Sequence, residues 1–184
     1  DPPVVCMVAQ WRRQKDHLTA IRAAGILKAA GVRARWLLIG EEDRALTEEG
    51  RRLISELGLN DDVVIAGRRT DVKDLLASAA VGVLATHFEG LPVAVMEYCA
   101  AALPCVVSCV EGTDFLISPD NGIVGVPPRD PAALANAIEY ILTDRERAED
   151  LGRRAFAYMR LKANRPEVLA QLRNIYEQVL ANPN

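Results

Sequence analysis

Two glutamates, Glu89 and Glu97, stand eight positions apart in the stretch LATHFEGLPVAVMEYCAAALPCVVSC, residues 84–109. From Pro92 to Cys109, Glu97 is the only charged side chain. A helix this apolar is buried on most sides, and a lone carboxylate in it costs several kcal/mol unless it finds donors. Two readings follow. Either Glu97 bonds a nearby backbone turn or an arginine, or it faces a cleft and binds ligand hydroxyls.

The positions around these carboxylates favour a ligand. The pattern predicts an apolar strand ending near Ala85 and Thr86, a loop His87-Phe88-Glu89-Gly90, a helix from about Pro92 to Ala102 and a strand Cys105–Ser108. Pro92 suits the first helical turn, where its missing N–H is no loss. The free N–H groups and the positive dipole end then face outward at the carboxyl end of a strand, an anion site where open α/β sheets bind ligands. Gly90 lets the backbone come close to a ligand. Glu89 at the mouth and Glu97 on the helix would bracket a phosphate between them.

The remaining chain supplies strands and helices in alternation. Val4–Ala9 is a continuous apolar run, as expected of a strand buried on both faces. Helix 17–30 carries Leu18, Ile21, Ala24, Ile26 and Leu27 on an apolar side. Strands are predicted at 36–39, 63–66, 81–85 and 123–126, and helices at 46–57, 72–79 and 131–142, with Leu46, Leu53, Ile54 and Leu57 inward on the second. Asp130 and Pro131 start the 131–142 helix as N-cap and first residue. Charged helices at about 144–160 and 166–181 close the chain. Leu169, Leu172, Ile175, Tyr176 and Val179 are available for the local core, the favoured reading, or for a partner domain. The alternation implies a doubly wound parallel sheet of about six strands, helices on both faces, in one Rossmann-like α/β domain spanning residues 1–184.

Bulk properties narrow the function. The chain has 184 residues, 50% hydrophobic and 26% charged, with net charge −3, which argues against nucleic acid as main partner. No run of about 18 apolar residues offers a transmembrane helix, and no signal peptide is visible. The start at Asp1-Pro2-Pro3, without Met, reads as an excised fragment. Cys6, Cys99, Cys105 and Cys109 lack metal-ligand spacing and read as small buried residues in a reducing compartment. No metal cluster is visible. No G-x-G-x-x-G follows any strand, which weakens the alternative of a non-catalytic nucleotide-binding or regulatory module.

Glu89-Gly90-Leu91-Pro92 followed by Glu97 resembles the E-x7-E motif of retaining glycosyltransferases of family four, the "glycosyl transferases group 1" family. The family's Glu-Gly-Phe-Pro, Glu-Ala-Met-Ala and Gly-x-Pro-Val-Val runs stand here as EGLP, EYCA and ALPCVV. The resemblance extends over nearly the whole chain and matches the C-terminal, donor-binding half of a GT-B fold, the N-terminal acceptor half being absent. It implies transfer of a hexosyl unit from a nucleotide-diphosphate sugar, with retained configuration and no separate cofactor or metal. The acceptor would be a glycan or a lipid-linked molecule, the location cytoplasmic or at the inner face of the membrane, and the isolated half inactive.

The resemblance also assigns residues. Glu97 would bind the nucleotide ribose, and Glu89 would lie by the donor sugar near the anomeric carbon. The backbone N–H groups of Gly90, Leu91 and Val93 would face sugar and diphosphate. Lys15 matches the lysine of a Gly-Arg-Leu-x-x-x-Lys diphosphate clamp, but Gln10 stands at the arginine position, so Arg12 or Arg13 substitutes or binding is weaker. Arg68, after the third strand, falls near the base. Glu111-Gly112-Thr113 falls near the donor sugar. His87 is a proton carrier or a polar loop residue, and His17 helps begin the first helix.

Overall fold

The computed structural model describes residues 1–163 and 165–181. Strands β1 (Val4–Val8), β2 (Arg35–Ile39), β3 (Val63–Gly67), β4 (Val81–Leu84), β5 (Cys105–Ser108) and β6 (Ile123–Val126) form one parallel sheet in the order β3-β2-β1-β4-β5-β6. Helices α1 (His17–Ala29), α2 (Arg44–Glu56) and α3 (Val72–Ser78) connect the first four strands. Helix α4 (Val93–Ala100) joins β4 to β5, and α5 (Pro131–Leu142), α6 (Arg145–Lys162) and α7 (Arg165–Ala181) follow β6. The six-stranded doubly wound sheet expected from the alternation is the architecture found.

Strand alternation feeds two apolar layers. Val5 and Met7 of β1, with Val81 and Val83 of β4, enter one layer with Ala20 and Leu27 of α1 and Ile138 of α5. Cys6, Leu84, Cys105 and Val107 point the other way, onto Val95, Tyr98 and Cys99 of α4 and Ala155 of α6. Burial on both faces is why these strands read as unbroken apolar runs. Aspartates cap the helices that flank the sheet. Asp16, Asp43, Asp130 and Asp144 each accept from a backbone N–H at the start of their helix, α1, α2, α5 and α6 respectively.

Several local expectations are corrected. Helix α4 is shorter than 92–102: Pro92 is its N-cap rather than its first helical residue. Leu57 and Ile26 lie exposed instead of facing the core. Cys109 is exposed, whereas Cys6, Cys99 and Cys105 are buried. The Asn121-Gly122 pair, turn-forming by sequence, closes a 3-10 turn, Pro119–Asn121, on left-handed Gly122. Leu169, Leu172, Ile175, Tyr176 and Val179 of α7 do not join the local core but are all exposed. The two layers over the sheet are filled by residues of α1, α4, α5 and α6, and no described residue of α7 enters them.

The C-terminus of α4 shows how the chain departs from its resembled pattern. The Leu103 N–H bonds the Tyr98 carbonyl at 2.9 Å and the Ala102 N–H bonds the Cys99 carbonyl at 3.0 Å, the paired closure that ends many helices. That closure needs a left-handed residue, and Ala102 supplies it at φ 52°. Alanine takes this conformation at a cost that glycine does not pay. The turn is also pressed from outside: a Cβ on Gly152 of α6 would lie 2.1 Å from the Ala102 carbonyl oxygen. Ala102→Gly is expected to raise unfolding stability by about 1 kcal/mol in urea titration; a loss of stability would contradict the strain assigned to this residue.

Candidate functional site

A cleft of about 690 Å³ opens at the carboxyl ends of β1, β2 and β3, facing the start of α4. Its walls include Gln10, Arg12 and Lys15 after β1, Glu41 after β2, Arg68 after β3, and Leu91, Val93 and Glu97 beside or on α4. Another hollow of about 440 Å³ lies at the opposite sheet edge, around Pro2, Lys28 and Asp62. Ligands of open α/β sheets bind at carboxyl ends, so the first cleft is the candidate site.

The wall carrying Glu97 follows from helix periodicity. Val95, Tyr98 and Cys99 of α4 point into the core, while Val93 and Glu97 line the cleft. Glu97 is therefore less buried than the apolar run suggests. Its carboxylate has no hydrogen-bond or ion-pair partner among the described residues, which removes the reading in which a turn or arginine ties it down. Partial burial raises its pKa above the ordinary carboxylate value.

Glu89 lies behind this wall. It is 9% exposed, and its carboxylate is ion-paired with Lys15. The pair is set by two loops that bond to each other. The Asp16 N–H bonds the Ala85 carbonyl at 3.0 Å, and the His87 N–H bonds the Gln14 carbonyl at 2.9 Å. The Gln14 side-chain amide donates to the Phe88 carbonyl at 2.5 Å. Glu89 is held from the other side as well: its N–H bonds the Glu111 carbonyl at 3.0 Å, and a Cβ on Gly112 would lie 1.8 Å from its carbonyl oxygen. The Glu111–Thr113 loop thus backs the Glu89 backbone. The two glutamates do not bracket one space together; Glu97 is on the cleft wall, and Lys15 stands between the cleft and Glu89.

The α4 N-terminus has no side-chain cap. The Val93 N–H, expected to face a ligand, is taken by the Leu91 carbonyl at 2.9 Å. The N–H groups of Gly90, Leu91 and Ala94 bond no protein group among the described residues. Ala94 therefore joins Gly90 and Leu91 as an available donor, and Val93 contributes its side chain. The shift of one position follows from Pro92 being the cap.

The cations also sort themselves. Gln10 donates to Glu41 at 3.5 Å. Arg12 lines the cleft and Arg13 does not. Arg68 and Arg69 both line the cleft after β3, but Arg69 forks onto Asp71 at 2.8 and 2.6 Å. The β1 loop is anchored by Trp11, whose buried ring stacks on His17 at 4.1 Å and packs against Gly50 of α2. His17 does more than begin α1: its ring nitrogens face the Lys15 carbonyl at 2.9 Å and the Ala9 carbonyl at 3.3 Å. Burial lowers its pKa below the ordinary imidazole value, against the two carbonyls, which raise it. His87 lies 3.8 Å from Asp16 and within 3.5 Å of the Arg129 guanidinium, the surroundings of a polar loop residue.

The model of the glycosyl transferases group 1 family matches residues 1–158, and the chain belongs to that family. It is 26% identical over 181 residues to alpha-D-kanosaminyltransferase of Streptomyces kanamyceticus, covering 97% of this chain and 46% of the relative. Sucrose-phosphate synthase of Thermosynechococcus elongatus superposes with TM-score 0.88 at 27% identity, over 98% of this chain and 46% of that one. Alr3699/HepE of Anabaena, solved in complex with UDP-glucose, superposes with TM-score 0.85 at 19% identity, over 99% of this chain and 50% of that one. The fold is the α/β architecture of the GT-B glycosyltransferases it superposes on, and the chain spans about half the length of these relatives.

Because partial burial raises the Glu97 pKa, the folded state binds its proton more tightly than the unfolded state does. Its contribution to stability therefore falls as pH rises through the ordinary carboxylate range. Glu97→Gln is expected to melt at or above the wild-type temperature at pH 7.5, with the difference shrinking toward pH 4. A variant that melts lower at pH 7.5 would show that the carboxylate is satisfied by protein groups.

Proposed function

We propose that this chain is the nucleotide-sugar-binding half of a retaining hexosyltransferase. The observation that carries the reading is Glu97, an unpartnered carboxylate on a cleft wall that also presents Arg12, Lys15 and Arg68. Vicinal hydroxyls donate to a carboxylate, and a diphosphate is held by cations and free N–H groups. A nucleotide-diphosphate sugar carries both chemistries in one molecule. The UDP-glucose complex of a protein with this fold supports UDP as the first nucleotide to test.

In this reading Glu97 binds the ribose, and Lys15 and Arg12 hold the diphosphate with the N–H groups of Gly90, Leu91 and Ala94. Arg12 takes the part that the resembled motif gives to arginine at position 10. Arg68 lies toward the base. Glu89 orients Lys15 and borders the donor sugar. Transfer breaks the bond between anomeric carbon and diphosphate oxygen and forms the new glycosidic bond on the same face. The leaving phosphate accepts the acceptor hydroxyl's proton, and Lys15 and the α4 N-terminus stabilise the charge that builds on it. No separate cofactor or metal enters. The acceptor, a glycan or a lipid-linked molecule, would be held by the other half of the full-length protein. A lipid-linked acceptor would bring that protein to the membrane surface.

Calorimetry with UDP-, GDP- and ADP-sugars is the test. The chain is expected to bind one of them weakly and, alone, to transfer nothing. Glu97→Ala should weaken that binding by about tenfold or more, the loss of hydrogen bonds to a charged group. Gln10→Arg should tighten it by a similar factor, by adding a second charge-assisted contact to the diphosphate. Binding to none of the three, or binding unchanged in Glu97→Ala, would overturn the assignment.

A further inference from the structure

The residue after Glu97, Tyr98, stands between two strands of the sheet and does not line the cleft. Strands β1 and β4 are paired only at Val5 with Val81 and Cys6 with Gly82. Both strands continue, β1 to Val8 and β4 to Leu84, without further register pairs between them. They part because their connections leave the sheet on opposite faces, β1 into α1 and β4 into α4. Separation of this kind strands backbone groups inside the protein, where an unpaired N–H or C=O is costly.

Tyr98 fills the gap. Its ring is fully buried, and its hydroxyl accepts from the Val8 N–H at 2.8 Å and donates to the Val83 carbonyl at 3.0 Å. One oxygen thus joins the last residue of β1 to β4 at the point where the strands cease to bond directly. Gly82 is shaped for the ring: a Cβ there would lie 2.6 Å from two of its atoms. Burial raises the phenol pKa well above its ordinary value, so the hydroxyl keeps the proton it donates. The resembled Glu-Ala-Met-Ala run has alanine at this position, and alanine offers no hydroxyl.

We propose that Tyr98 is a positioning residue that sets the width of the cleft mouth by bridging Val8 and Val83. Val8 is followed directly by the loop that carries Gln10, Arg12 and Lys15, and Val83 precedes the loop that carries Glu89. Tyr98 itself is the neighbour of Glu97 on α4, so one hydroxyl fixes the cations, the buried carboxylate and the cleft-wall carboxylate relative to one another. The consequence for affinity rests on the nucleotide-sugar reading above; the bridge itself does not.

The test compares wild type with Tyr98→Phe, which keeps the ring and removes the bridge, and with Leu134→Ala, which weakens the other core layer. Amide exchange and UDP, GDP and ADP titrations are run where all three remain folded. In Tyr98→Phe the Val8 amide should lose protection relative to the Cys6 amide, and nucleotide affinity should fall by about tenfold, the effect of one orphaned buried pair. Leu134→Ala should change neither the Val8-to-Cys6 ratio nor the affinity. An unchanged ratio in Tyr98→Phe, or an affinity no weaker than that of Leu134→Ala, would overturn the proposal. If wild type binds none of the nucleotides, the donor reading fails, while the exchange ratio still decides whether Tyr98 holds the strands.

Discussion

The site depends on a parting of two strands. In a parallel sheet whose order turns at β1 and β4, the connections on either side of the turn must leave on opposite faces, so the carboxyl ends separate and leave a crevice. Much of the cleft wall and its support is attached to an edge of that crevice. The β1 loop brings Lys15 and Arg12, the β4 loop brings Glu89, and α4 begins where the β4 loop ends. The separation also exposes backbone groups that the sheet would otherwise pair. The protein meets that cost with side chains such as Tyr98 and with the bonds between the two loops, including the Thr86 hydroxyl to the Gln14 carbonyl at 3.1 Å.

The buried pair of Lys15 and Glu89 is the electrostatic counterpart of that construction. A carboxylate as covered as Glu89 is tolerated because an ammonium meets it, and removal of either partner from such a pair costs about 3 to 5 kcal/mol. The pair keeps Lys15 extended toward the cleft, with its charge partly balanced from behind. Glu97 differs in kind. It is left without a protein partner on a surface that also holds cations, an arrangement that sacrifices stability for an available acceptor. The two glutamates, alike in the sequence, divide into a supporting carboxylate and a presenting one.

The helices α4 and α7 show where patterning stops being informative. In α4 the apolar run predicts a helix buried on most sides, yet the helix has a cleft side on which small and apolar residues, Val93 and Ala94, stand beside Glu97. Apolar side chains on a ligand wall and apolar side chains in a core look the same in one dimension. In α7 the stripe of Leu172, Ile175, Tyr176 and Val179 has the spacing of a core-facing helix, but the layers beneath are already filled by other elements. Whether a stripe is covered depends on what space remains, which is a property of the packed whole.

The sequence by itself determined the element order, the parallel sheet and the family, because buried strands, aspartate caps and the Glu89–Glu97 run are local patterns with local physical causes. It also marked Lys15 and Arg68 in loops after strand ends, where ligands of such sheets bind, and Glu97 on the helix that follows such a loop. Only the tertiary structure decided that Arg12 rather than Arg13 lines the cleft, that Val93 closes its own N–H while Ala94 leaves one open, that Glu89 stands behind Lys15, and that Tyr98 spans the strands. Each of these turns on distances between segments far apart in the chain, set by how loops and layers pack, and no spacing within a single segment encodes them.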